Sequence, residues 1–152
     1  MTDPIHSTTA TDADFVYVDK ADARTVARLR HELARWLETQ VTLDADKLND
    51  ILLAVNEALT NAAEFAYRGR RGMMGLQVRY DRADGTLIAD VTDRGTWRNV
   101  DPAAQPNTRG RGIPLMRALT ERTSIFKSPS GTHVQMEFGH CVSARSDALV
   151  SA

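Results

Sequence analysis

The sequence predicts an α+β domain: a mixed, mainly antiparallel sheet with helices on one face. Three observations lead there. Two segments carry apolar residues at helical spacing, two further stretches alternate apolar and polar residues around short turns, and a glycine-bearing stretch with few apolar residues lies between those hairpins. The 152 residues, 42% of them hydrophobic, amount to one domain able to bury a single sizeable core.

Phe15-Val-Tyr-Val18 forms the first strand. Asp22 is placed to cap a helix in which Val26, Leu29, Leu33, Trp36 and Leu37 recur at helical spacing. A second helix runs from about Asp44 to Tyr67, with Leu48, Ile51, Leu52, Val55, Leu59, Ala62 and Ala66 along one side and Gly69 near its end. Leu76, Val78 and Tyr80 alternate with polar residues, Asp84-Gly85 supplies a turn, and Leu87, Ala89 and Val91 alternate again, which makes a β-hairpin. Thr92 to Gly112 holds three glycines, two prolines and four arginines. That is too long for an ordinary connection and implies a functional loop or lid. A short helix follows from Pro114, and Ser124 to Lys127 with Thr132 to Phe138 form a second hairpin around Ser128-Pro-Ser-Gly131. Residues 1–14 and 140–152 show no periodicity and are expected to be loosely held tails, leaving 15–139 as the folded body.

Nineteen basic and 20 acidic residues give a net charge of -1, which excludes a global field for nucleic acid or a membrane. Cys141 is the single cysteine and has no partner at metal spacing, so an internal disulfide and a zinc site are both excluded. No stretch approaches the ~20 apolar residues of a membrane span, and Met1 to Asp14 is polar where a signal peptide is apolar. The expectation is a soluble, cytoplasmic protein.

Four blocks carry chemistry: Glu57-Ala-Leu-Thr-Asn61-Ala, Asp93-Arg-Gly95, Arg109-Gly-Arg-Gly112-Ile-Pro and Gly131-Thr132. At ~100° per residue, Asp50, Glu57, Asn61 and Glu64 share a stripe opposite the apolar side of the second helix. That face offers a carboxylate as base or hydroxyl-orienting group and an amide oxygen suited to Mg²⁺; a solvated helix surface has the same composition. Asp93 can accept from an exocyclic amine such as adenine N6, and Gly95 lets backbone approach closely; a turn aspartate is the plain alternative. Gly110 and Gly112 precede a helix whose free N–H groups attract anions, and Arg109 and Arg111 add charge suited to phosphate oxygens. Gly131-Thr132 alone is a hairpin turn.

In this order the blocks resemble the GHKL, or Bergerat-fold, ATPases, whose nucleotide pocket is built from an N box, two glycine boxes and a late Gly-Thr. Asn-Glu-Ala-Leu-Thr-Asn-Ala and Gly-Arg-Gly-Ile-Pro-Leu-Met-Arg look most like the anti-sigma-factor serine-protein kinases, over about Val18 to Phe138. The resemblance implies that Glu57 is the base towards an acceptor serine, Asn61 holds Mg²⁺ and Asp93 reads adenine. Gly95, Arg109, Gly110, Arg111, Gly112 and Thr132 would complete the ATP site. It also implies a STAS-type anti-anti-sigma protein as acceptor, a sigma factor as second partner, and a dimeric kinase. Two positions depart from the family pattern: Phe65 stands where the N box often has histidine, and Trp97 replaces the second glycine of the first glycine box.

Two rivals use other residues or another mechanism. A binding module would use nucleotide as a conformational switch without transferring phosphate. A sensor histidine kinase is suggested by His31-Glu-Leu33, although too little chain separates it from Glu57 for a phosphotransfer domain. Arg24, Arg28, Glu32 and Arg35 point away from the apolar stripe of the first helix, as a solvated face or a dock for an acidic partner.

Overall fold

Residues 14–66, 71–95 and 112–144 are described by the structure, a computed structural model. In chain order they form β1 (Phe15–Lys20), α1 (Ala23–Gln40), β2 (Val41–Thr42), α2 (Ala45–Asn61), a π-helical turn (Ala62–Ala66), β3 (Met73–Asp81), β4 (Thr86–Asp93), α3 (Gly112–Leu119), β5 (Arg122–Ser128), β6 (Gly131–Phe138) and β7 (Val142–Ser143). A five-stranded sheet has the order β1-β3-β4-β6-β5, and every pairing in it is antiparallel. The expected strand, helices and hairpins are all present.

α1 starts where Asp22, extended at φ -144 and ψ 169, accepts the Thr25 N–H at 2.8 Å. That bond satisfies one of the donors left open at a helix start. Leu29, Leu33 and Leu37 are at most 1% exposed, and burial of each such side chain contributes about 1.5–3 kcal/mol. α2 is capped likewise by Asp44, which accepts from Lys47 N–H. The strands alternate as expected, so Leu76, Val78, Leu87, Ala89, Val91, Val134, Met136 and Phe138 join the helices in one core. No described helix is long and apolar enough to cross a membrane.

Three differences from the sequence reading have physical causes. The second helix is α-helical only to Asn61 and then widens into the π turn; Tyr67 lies outside the described residues. The short third helix opens at Gly112, two residues before Pro114, which its first turn tolerates. The folded body also runs past residue 139. Cys141 is 3% exposed, its N–H donates to Gly85 O, Tyr80 Oη donates to Cys141 O, and β7 pairs with β2. Two-residue strands carry no periodicity, so this tie has no local sequence signature.

Candidate nucleotide site

β4 ends at Asp93, and the register of the sheet fixes what stands beside it. Asp93 pairs with Thr132 on β6 and with Met74 on β3. Because Leu87, Ala89 and Val91 face the core, Asp93 follows them inward, as Thr132 follows Val134, Met136 and Phe138. A carboxylate and a hydroxyl thus stand side by side under the helices, 7% and 4% exposed. Asp93 Oδ1 accepts the Gly95 N–H at 3.0 Å, turning the chain as it leaves the strand. Gly131 completes the corner. Its φ is +148, and a Cβ there would lie 2.0 Å from Asp93 O, so only glycine lets β6 begin this close to β4.

Asn61 belongs to the helical layer over β4. It is the last residue of α2, and both α2 and the π turn after it pack on β4. The helix wheel had placed Asn61 on the face away from the packing side, yet it is only 7% exposed. The reason is tertiary: α2 packs against α1, α3 and β4, so more than one of its sides is covered. Asp50 and Glu57 on that stripe are half-buried, and Glu64 is exposed. Alongside Glu57, Asn56 Oδ1 accepts from Arg30 at 2.9 Å and ties α1 to α2.

Of the seven buried polar or charged residues among those described, three are Asn61, Asp93 and Thr132. Among the described residues, nothing is hydrogen-bonded to the Asn61 carboxamide or the Thr132 hydroxyl. Leaving such a buried group unpaired costs about 1–3 kcal/mol, so each is a group that an incoming polar ligand would stabilise. No described cluster of three or more His, Cys, Asp or Glu could hold a metal.

The described residues do not cover the whole expected site. Gly95 is buried just after β4, and Gly112 opens α3. Arg109, Gly110, Arg111 and Trp97 lie outside the described residues, as does most of the expected lid. Met74 was not singled out from sequence, and Gly131 was named there only within the Gly131-Thr132 block, as a hairpin turn. The signal for Met74 was available, since it continues the phase of Leu76 and Val78; the Gly131 requirement comes from the approach of β4, which only the fold reveals. His31 is exposed. Arg28 is ion-paired with Asp19 and lies over the Tyr17 ring, whereas Arg24 and Arg35 are exposed.

The structure is thus an antiparallel sheet with helices on one face and two buried polar side chains, Asp93 and Thr132, paired at one end of its central strands. Residues 20–138 match the family described as histidine kinase-like ATPase domain, and the chain belongs to that family. Among solved structures, it is similar to the RsbU and RsbW domains of Rv1364c from Mycobacterium tuberculosis. That likeness has TM-score 0.66 and 23% identity, covering 84% of this chain and 32% of that one, so the chain spans about a third of that protein. The histidine kinase domain of the Erythrobacter litoralis EL346 blue-light activated histidine kinase matches with TM-score 0.49 and 19% identity, over 76% of this chain and 59% of that one.

Proposed function

We propose that the chain is an Mg²⁺- and ATP-dependent serine-protein kinase that phosphorylates a STAS-type anti-anti-sigma protein and, in another nucleotide state, holds a sigma factor inactive. One observation carries the ATP assignment: among the described residues, the buried Thr132 hydroxyl next to the inward-facing Asp93, and the buried Asn61 carboxamide in the helical layer that packs on β4, have no hydrogen-bond partner. ATP supplies the phosphoryl group, and Mg²⁺ offsets charge on its phosphates. Asp93 would accept from the adenine amine, with Thr132 beside it. Asn61 would offer its side-chain oxygen to the metal. Gly95, Gly110 and Gly112 would let backbone N–H groups approach phosphate oxygens, with Arg109 and Arg111 adding positive charge. Glu57, one helical turn before Asn61, would take the proton from the acceptor serine as its oxygen bonds to the transferred phosphorus and ADP leaves. The partner-switching part of the reading rests on the resemblance of Asn56 to Ala62 and Gly110 to Arg117 to the anti-sigma-factor kinases, and the likeness to the RsbU and RsbW domains of Rv1364c supports the fold. We also propose residues 15–139, with the short tie that follows, as one cytoplasmic kinase domain.

Incubation of the chain with labelled ATP, Mg²⁺ and a STAS protein tests the reading. Glu57→Ala should lower transfer by about 10²–10⁴-fold while nucleotide affinity stays within about threefold. Equal loss of both removes Glu57 as base. ATP binding with no transfer by the unaltered chain leaves the alternative, a nucleotide-switched binding module.

A further inference from the structure

The outer side of α2 carries a stripe of unpaired groups that leads to Glu57. The helix is regular from Ala45 to Asn61 and buries Ile51, Ala54, Val55, Ala58 and Leu59. At ~100° per residue the opposite side is centred on Leu53, with Asp46, Asn49, Asp50 and Glu57 within about 60° of it. Asp46 and Asn49 are exposed, and Asp50 and Glu57 are half-buried. Among the described residues none of these four side chains has a hydrogen-bond or ion-pair partner.

The fold explains only part of this stripe. Asp46 lies in the first turn, where the helix dipole favours a carboxylate. Asp50 has no such reason. It stands four residues after Asp46, a spacing at which like charges weaken a helix. Leu53 is 41% exposed, and among the described residues it is the one large apolar side chain left exposed on a helix; the others stand on strands. A lone surface leucine is ordinary, but this one is ringed by unpaired acids. The stripe ends at Asn61, about 40° from Glu57 around the helix, 7% exposed and without a hydrogen-bond partner among the described residues. That buried amide marks the Glu57 end as the one where a polar ligand is held.

We propose that this stripe docks the acceptor protein: Leu53 takes an apolar side chain, Asp50 takes a lysine or arginine, and the acceptor serine lies against Glu57. The inference rests on Glu57 being the base of a serine kinase and adds what recognises the substrate. Helix rise sets the spacing. Leu53 is four residues from Glu57 and Asp50 is seven, so the apolar contact falls ~6 Å and the charged contact ~10 Å from the base, both towards the start of α2. The acceptor therefore presents a serine, an apolar side chain and a cation in that order on one surface. An acidic surface is refused, because Asp46, Asp50 and Glu57 meet it with like charge. The cation governs the rate of encounter and its salt dependence, and the covered leucine governs how long the complex lasts.

The test uses the full chain, Mg·ATP and a STAS-type protein that it labels, with initial rates measured at varied acceptor and at varied ATP. Leu53→Gln keeps side-chain size and helix propensity, and Asp50→Lys replaces a repulsion with an Asp46 pair, so circular dichroism should be unchanged for both. Each should raise KM for the acceptor about fivefold or more, while KM for ATP and acceptor-free ATP hydrolysis stay within about twofold. Asp50→Lys should also flatten the fall of kcat/KM with salt. Changing the lysines and arginines around the labelled serine to glutamate, one at a time, should yield one acceptor that the Asp50→Lys chain phosphorylates better than the unaltered chain does, which a structural role for Asp50 would not produce. Transfer that continues with acceptor KM unchanged in both variants overturns the docking stripe and leaves the kinase standing. A parallel rise in KM for ATP overturns it too, by making the two side chains structural. No transfer by the unaltered chain removes the kinase itself, and the stripe's role with it.

Discussion

Asn61 is a carboxamide buried at the end of a helix with no described partner, so it costs the free protein stability and is useful only when something polar arrives. This leads to a prediction of opposite signs. In the absence of nucleotide, Asn61→Ala should leave the melting temperature unchanged or raise it by a few degrees, since it removes an unsatisfied group and installs a better helix former. With Mg·ATP present, the unaltered chain should gain stability as the logarithm of ligand excess, about 2.7 kcal/mol at a hundredfold excess over Kd, and the variant should gain little. Differential scanning fluorimetry with and without nucleotide reads both. A variant destabilised when free and still stabilised by nucleotide would make Asn61 a structural residue.

At the scale of elements, α1 hangs on a single capping carboxylate. The Thr25 backbone N–H, with further help from the Thr25 side chain, holds the Asp22 carboxyl below its ordinary value of 3.8. A carboxylate lowered on folding stabilises the protein fully above its ordinary pKa, and the contribution disappears as pH falls through the lowered folded value. Asp22→Ala should therefore melt a few degrees lower at pH 7, and the gap should close as pH drops below 3.8. Thermal melts at several pH values check it, and a gap independent of pH would show that the loss is not that of a charged cap. The same cap was legible in the sequence, because an aspartate before Val26, Leu29 and Leu33 is a local pattern. The hairpins were legible for a similar reason: Leu87, Ala89 and Val91 keep step with Asp93, and Thr132 keeps step with Val134. The environment of Asn61 was not, because a helical wheel assumes one covered side, and α2 has neighbours on more than one. Nor were β2 and β7, whose pairing joins residues about 100 positions apart in strands too short for alternation.

Across the whole molecule the two ends of the sheet have different tasks. β4 is eight residues long, so Asp93 and Gly85, which precedes it, are separated by roughly 26 Å. The far end carries the expected nucleotide groups, while the Gly85 end is closed by the tie through Cys141. Burial pushes the Cys141 thiol above its ordinary 9.0 and the Tyr80 hydroxyl above its ordinary 10.0. Both groups prefer to stay protonated in the folded state, so the stability they contribute is present below those values and is lost as pH rises through the raised ones. A neutral, 3% exposed thiol is a poor nucleophile, and a thiol reagent at pH 8 should label it at least about 100-fold more slowly than in denaturant. The residual labelling should come from local opening, since the tie rests on a strand pair of two residues each and on the bonds from Cys141 N–H to Gly85 and from Tyr80 to Cys141. Local opening at this end leaves Asn61, Asp93 and Thr132 in place. Saturating Mg·ATP should therefore leave the labelling rate unchanged even while it raises the melting temperature. A rate that falls in proportion to nucleotide binding would mean that Cys141 is exposed only when the whole domain unfolds, and that the two ends of the sheet open as one unit.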